Sequence, residues 1–287
     1  MFPTFDDLQE IFMNENDCIE YLFKHEVLYK QPKCGKCRKN SYLSQNRWKC
    51  KNNNCNWTIS IYKDTIFANI KITPNKILRI GYLWLAKCSF SSILMITGHS
   101  TKTLSQILTT FRDMISIEII LEQKMIGGNG VIVEIDESKF GKRKYNKGHK
   151  VDGVWVVGGV ERTSERKFFA EPVKDRSAVT LIDVLKRNIL PGSIVYSDMW
   201  KGYAKLSDIL EMQHKTVNHS KSFKDPITGV HTNSIEGTWN GLKIRTPINA
   251  YKYDKIDVHI SEFIWRRQNE SNLWQAFIKT LSNTLFN

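Results

Sequence analysis

The sequence predicts an α/β protein with a mixed sheet, preceded by a small cysteine knuckle and a helical segment. Three observations lead there: two close cysteine pairs between positions 34 and 55, apolar residues at helical spacing from 73 to 126, and strand-like apolar runs after Gly127-Gly128-Asn129-Gly130. Hydrophobic periodicity is the primary signal of secondary structure, and here it changes abruptly along the chain.

Composition narrows the class. The chain has 287 residues, a length that suggests about two domains. Its 41% hydrophobic and 11% aromatic content supplies a real core and excludes disordered and fibrous classes. Lys and Arg number 42 against 29 Asp and Glu, a net charge of +13. Such an excess favours a polyanionic partner, because each phosphate neutralised releases condensed counterions. An acidic membrane surface satisfies the same charge. No membrane span is expected, because the most apolar stretch, 77–96, is interrupted by Arg79 and Lys87 and falls short of the ~20 apolar residues a bilayer requires. The opening MFPTFDDLQEIF is acidic and has no basic-then-apolar leader, so an intracellular protein is expected.

The chain reads as four segments. Residues 1–30 place Leu8, Ile11, Phe12, Ile19, Leu22 and Phe23 at helical spacing, for one or two short N-terminal helices. Residues 31–62 form the zinc ribbon. Residues 63–126 form a helical DNA-binding segment: Thr73-Pro74 opens one helix, a second runs from about Ser91 to Thr97 and stops at Gly98, and Ser100-Thr101 opens a third. Helix, short glycine turn, helix is the helix-turn-helix order, although any helical hairpin shares it. Residues 127–287 form the last domain. Its strands are 131–136, 154–160 and 167–173, then a helix over 177–188, strands at 193–197 and 214–217, and helices from Asn233 onward. Three strands at hairpin spacing, a helix, a strand and further helices indicate a mixed sheet, and that order is the one a ribonuclease-H-like fold requires.

Cys34-Gly-Lys-Cys37 and Cys50-Lys-Asn-Asn-Asn-Cys55 carry the spacing of a metal knuckle, while Cys18 and Cys88 stand apart. Zn²⁺ takes four thiolates tetrahedrally, and a short turn delivers two of them. A structural zinc fits this better than four unligated core cysteines or a disulfide framework. With four sulfur ligands the ion has no open position, so its role is scaffolding. Lys33, Lys36, Arg38, Lys39, Arg47, Lys49 and Lys51 around it suggest phosphate contact.

Three carboxylates are candidates for chemistry. Asp136 ends the run Val131-Ile-Val-Glu-Ile-Asp136, with Glu134 on the same strand face and Glu137 on the other. The basic loop that follows, with Lys139, Lys142, Arg143, Lys144, Lys147 and Lys150, either pairs with that acid or contacts DNA. Asp198 ends Ser193-Ile-Val-Tyr-Ser-Asp198. Glu236 opens the C-terminal helical region, with Lys243 two turns further on the same helix face. Each acid alone has a bland reading: a strand-end charge offset by neighbours, or a partner for a helix dipole. Two strand ends and one helix start can nevertheless converge, and such a cluster of like charges needs divalent cations. Two of them about 3.5–4 Å apart support in-line displacement at a phosphodiester, and carboxylate oxygens suit Mg²⁺ or Mn²⁺.

The blocks Glu-Ile-Asp136-Glu-Ser, Ser-Asp198-Met-Trp-Lys-Gly-Tyr203 and His231-Thr-Asn-Ser-Ile-Glu236-Gly-Thr-Trp-Asn-Gly-Leu-Lys243, with Val217-Asn-His-Ser, Phe223, Asp225 and Gly229 between them, resemble the Merlin group of DDE transposases and its bacterial insertion-sequence relatives. The cysteine knuckle and helical segment resemble that family's N-terminal half, so the likeness covers nearly the whole chain. The resemblance implies a ribonuclease-H-like catalytic domain with the acid triad Asp136, Asp198 and Glu236. It also implies two Mg²⁺ (or Mn²⁺) at that triad and cut-and-paste transposition: hydrolysis at transposon ends, then attack of the freed 3′-hydroxyl on target DNA. Lys243 would contact phosphate or steady the helix. Asn233 would assist near the metals or cap the helix, and His231 reads as a hairpin residue. Trp200 and Tyr203 would stack on bases or belong to the core. DNA, as terminal inverted repeats and target, and a homo-oligomer on DNA are the implied partners, in the nucleus of a eukaryotic host or otherwise the cytoplasm. Two alternatives share these features: a transposase-derived DNA-binding protein without catalysis, and a structure-specific metal-dependent nuclease.

Overall fold

The computed structural model describes residues 2–28, 30–68, 70–122, 124–141, 153–204, 206–210, 212–219 and 224–284. The chain divides into two compact units, Met1–Glu118 with Asn269–Asn287, and Ile119–Gln268. Among the described residues no helix is long and apolar enough to cross a membrane.

The first unit opens with α1 (Gln9–Met13) and α2 (Glu15–Lys24), followed by an antiparallel sheet of β1 (Ser41–Ser44), β2 (Arg47–Cys50) and β3 (Thr58–Ser60). Helices α3 (Pro74–Leu85), α4 (Phe90–Thr97) and α5 (Thr101–Leu121) come next. Pro74 occupies the first turn of α3, where its missing N–H costs nothing, although the Thr73 side chain makes no capping bond. α4 starts earlier than its serines suggest, because the Ser89 hydroxyl accepts from the Ser92 amide at 3.0 Å and so caps the helix. Gly98, at φ +67°, closes α4 in the left-handed conformation that glycine adopts without strain. The Ser100 hydroxyl then accepts from the Thr103 amide at 3.2 Å at the start of α5.

The last helix, α10 (Leu273–Asn283), belongs to this first unit, a correction to the division at 127–287. The reason is aromatic. Trp274 and Phe277 on its buried face lie 5.0–6.3 Å, ring to ring, from Phe12, Tyr82, Trp84 and Phe111, and the Trp274 indole donates to the Tyr21 hydroxyl at 3.0 Å. A pattern read along the chain records that the helix is amphipathic, not which core receives it.

In the second unit β4 (Ile126–Gly127) pairs in parallel with β8 (Ile189–Leu190). The main sheet is built from β5 (Ile132–Phe140), β6 (Val154–Glu161), β7 (Phe168–Val173), β9 (Ile194–Asp198) and β10 (Gln213–Val217), in the order β10-β9-β5-β6-β7. β5, β6 and β7 pair antiparallel, while β9 and β10 run parallel to β5. This is the mixed α/β arrangement the alternation of strands and helices predicts. Val133, Ile135, Val157 and Val195 face α6 (Ala178–Asn188), where Leu181 and Leu185 cover them, together with Leu206 of α7 (Leu206–Leu210). The opposite face, with Phe140, Val156, Val160 and Phe168, is covered by Ile235 and Trp239 of α8 (Asn233–Arg245) and Ile260 and Phe263 of α9 (Ile256–Gln268).

β5 continues past Asp136 to Phe140, because β6 pairs with it from Val133↔Glu161 to Phe140↔Val154. Asp136 is therefore a mid-strand residue, not the strand tip its apolar run suggests. It lies opposite Gly158, and that glycine is needed for space. A Cβ there would stand 2.6 Å from the Trp239 ring and 2.7 Å from the Phe169 carbonyl oxygen. Gly158→Ala is expected to cost about 1–3 kcal/mol from overpacking, seen as a lowered thermal midpoint of the full chain; an unchanged midpoint would mean the ring moves aside freely.

Candidate functional site

The cysteines converge. The ligand atoms of Cys34, Cys37, Cys50 and Cys55 all lie within 4.8 Å of one another, the only such set of three or more His, Cys, Asp or Glu among the described residues. The Sγ atoms of Cys34 and Cys55 are 3.6 Å apart, and those of Cys37 and Cys50 are 3.4 Å apart, with all four thiols free of disulfides. The first turn aims the Lys36 and Cys37 amides at the Cys34 sulfur, each at 3.4 Å, and the Asn52 amide reaches Cys50 at 3.4 Å. Burial opposes ionisation of Cys34, but those amide donors outweigh it and bring the thiol down to about 6. Four close thiols in this geometry can hold one zinc ion.

A second site is built around β5. Glu134 is fully buried, and its carboxylate accepts from the amides of Ser234 (2.8 Å) and Ile235 (3.1 Å), the first turn of α8. Those amides are among the donors a helix start leaves unpaired, and a carboxylate suits the positive end of the helix. Arg162, just beyond β6, donates to the same carboxylate through Nε and to the His231 carbonyl through Nη2 at 2.8 Å, while its guanidinium lies 4.7 Å over the Tyr196 ring on β9. One buried ion pair thus joins β5, β9, the end of β6 and the start of α8.

On that frame Asp136 and Asp198 lie on one sheet face. β5 and β9 pair from Ile132↔Ile194 to Glu134↔Tyr196, and each aspartate stands two residues beyond the last pair. The Trp239 indole donates to Asp136 Oδ2 at 3.1 Å, and the Trp200 amide donates to Asp198 Oδ1 at 2.9 Å. Burial, followed by the charges of Glu137 and Asp198, pushes the Asp136 carboxyl up to about 7. Burial lowers the Lys243 ammonium while the Asp136 charge works to raise it, so Lys243 lies within electrostatic reach of that carboxylate, its Nζ 5.5 Å from the Phe140 ring centre.

Glu236 stands three residues before Trp239 on α8, about 4.5 Å along the helix axis. Its carboxylate accepts from the Thr232 hydroxyl at 3.1 Å and lies 3.6 Å from His219 Nε2, which itself reaches Thr232 Oγ1 at 2.8 Å. It does not close with Asp136 and Asp198 into a set within 4.8 Å. Asn233 is exposed, and the Glu134 carboxylate, not the Asn233 side chain, accepts from the amides at the start of α8. His231 forms a bridge with Lys224, as a hairpin residue would, and its Nδ1 accepts from the Asn233 amide at 3.3 Å. Tyr203 is buried in the core on the α6 side. Of the basic loop, Lys139 lies with its Nζ 5.5 Å from the Trp155 ring centre; Lys142, Arg143, Lys144, Lys147 and Lys150 lie outside the described residues.

Sequence reasoning missed Arg162, Trp239 and the role of Glu134. The two-residue spacing of Glu134 and Asp136 shows that they share a face, but no local signal marks a residue 100 positions from its partner, as Glu134 is from Ser234.

Comparison with known proteins follows from this geometry. The family described as "ISXO2-like transposase domain" matches residues 121–267, just over half of the chain and the span that contains all three carboxylates. An "Uncharacterized transposase-like protein" of Haemophilus influenzae is 28% identical over 104 residues, covering 36% of this chain and 82% of that protein.

Two outcomes are expected. Glu134→Ala leaves Arg162 with its charge uncompensated and two helix amides open, and should cost about 3–5 kcal/mol in denaturant unfolding; a loss under 1 kcal/mol would show that water replaces the carboxylate easily. For the cysteine set, elemental analysis should find about one zinc per chain, and chelation should open residues 31–62 to proteolysis. A chain that resists protease equally with and without metal would remove that role.

Proposed function

This chain belongs to the ISXO2-like transposase family, and on that premise we propose that it is a DDE transposase. It cuts DNA at the ends of a mobile element and joins the freed 3′-hydroxyl to target DNA. The observation that carries the reading is the pairing of β5 with β9, which sets Asp136 and Asp198 at equal offsets on one face, with α8 and Glu236 anchored beside them through Glu134 and Trp239.

The residues fit a divalent-cation site. The described hydrogen-bond donors to Asp136 and Asp198 are neutral, an indole and backbone amides, and the Asp198 charge raises the Asp136 pKa. An unbalanced pair of hard oxygen ligands is suited to Mg²⁺ or Mn²⁺. Asp136, Asp198 and Glu236 would hold two such ions, which when bound supply Lewis acidity for displacement at phosphorus. Trp239 orients Asp136, and Lys243 meets a DNA phosphate beside it. Lys139 and the basic residues 142–150 contact the DNA backbone. The ribonuclease-H-like reading of the second unit, and with it the likeness to the Merlin group, is supported by the sheet order, three sequential antiparallel strands flanked by two parallel ones. The cysteine set holds a structural zinc, the helical segment contacts DNA, and the protein assembles as an oligomer on two element ends.

The test is magnesium-dependent cleavage of duplexes carrying the element's terminal repeats. Asp198→Ala should reduce cutting at least ~100-fold, a loss that metal-site residues outside the ligand shell already reach. Equal cutting by both proteins, or by neither, would remove the catalytic assignment.

A further inference from the structure

The opposite face of β5 meets a group that this function leaves without a role. Arg176, in the loop between β7 and α6, lies between two indoles. Its guanidinium carbon is 3.9 Å from the Trp155 ring centre and 4.4 Å from that of Trp200. Stacking between aromatic faces leaves the in-plane N–H donors of a guanidinium directed outward at the edge of the stack. The polar contact described for it is a long one, 3.8 Å from Nη1 to Glu137 Oε2, beyond hydrogen-bond distance. Its side chain is 31% exposed. This arginine is therefore held between two rings while its side chain remains partly exposed.

We propose that Arg176, clamped by Trp155 and Trp200, is a binding site for a DNA backbone phosphate next to Asp198, a reading that rests on the transposase assignment above. Three observations give the site its chemistry. Trp200, one side of the clamp, is also the residue whose amide donates to Asp198 Oδ1, so clamp and carboxylate share one short turn. Other basic groups lie nearby: Lys139 sits over the other face-forming ring, Trp155, and Lys174 and Lys201 are exposed on the two loops that carry Arg176 and Trp200. The nearby acids make other contacts or lie beyond hydrogen-bond distance of the guanidinium. Asp175 is engaged with α6, accepting from the Ser177 amide at 2.8 Å and the Thr180 hydroxyl at 2.9 Å. Glu137 is buried, with its Oε2 3.8 Å from the guanidinium. An arginine held in place beforehand forfeits little side-chain entropy on binding. A planar fork of donors matches phosphate oxygens.

The experiment measures binding of the full-length protein to terminal-repeat duplex in magnesium-free buffer across a salt series. Arg176→Met keeps the aliphatic packing between the rings and removes the charge. Arg176→Lys keeps the charge and removes the fork. If Arg176 neutralises one phosphate, the slope of log affinity against log salt should fall by about 0.9 in Arg176→Met and stay at the wild-type value in Arg176→Lys. In cleavage assays the Met variant should raise KM several-fold with kcat little changed. Equal slopes and affinities in all three proteins would overturn the proposal and leave Arg176 a packing residue. A wild-type protein with no salt-dependent DNA affinity would remove the transposase reading together with this one.

Discussion

The second unit depends on one buried carboxylate. Glu134 could not remain charged at zero exposure unless its oxygens were fully engaged, and they are, by Arg162 and by two amides at the start of α8. The consequence is geometric. A helix whose first turn is held by an ion pair on the central strand cannot slide along the sheet without uncovering a buried charge, so the position of α8 is set to within a hydrogen bond. Trp239 then places its indole on Asp136, and Glu236 follows one turn before it.

Strand β5 serves two environments at once because side chains alternate. Its even residues, Glu134 and Asp136, meet α8; its odd residues, Glu137 and Lys139, meet the Trp155 and Arg176 side. The glycine opposite Asp136 serves the first of these, since any side chain at Gly158 would occupy the space of the Trp239 ring. Asp136 and Glu137 face apart yet remain neighbours in charge, and each is raised by burial before any other cause. Like charges so close, with neutral hydrogen-bond donors as partners, favour either protonation or a cation.

Much was legible in the sequence where chemistry is local. The cysteine spacing marked the thiol set, since a two-residue turn brings Cys34 and Cys37 together whatever follows. The strand runs and the helix over 177–188 followed from period and capping residues. Asp136 and Asp198 stood out at the ends of apolar runs, and Glu236 at the opening of a helical region. Less legible were the true extent of β5, prolonged by pairing with β6, and the partnership of Arg176 with two tryptophans, one on β6 and one in the turn after β9. Each depends on residues distant in sequence, and no period or motif encodes it.

By itself, then, the sequence determined charge, thiol spacing, the order of strands and helices, and which acids were available, because these depend on neighbours along the chain. Tertiary structure decided which carboxylate anchors a helix and which stands open beside another, which core receives α10, and which arginine pairs with a buried carboxylate and which is held between rings. These outcomes depend on burial and on contacts across about a hundred residues, where the cost of an unpaired buried charge selects one arrangement from the many that the local pattern permits.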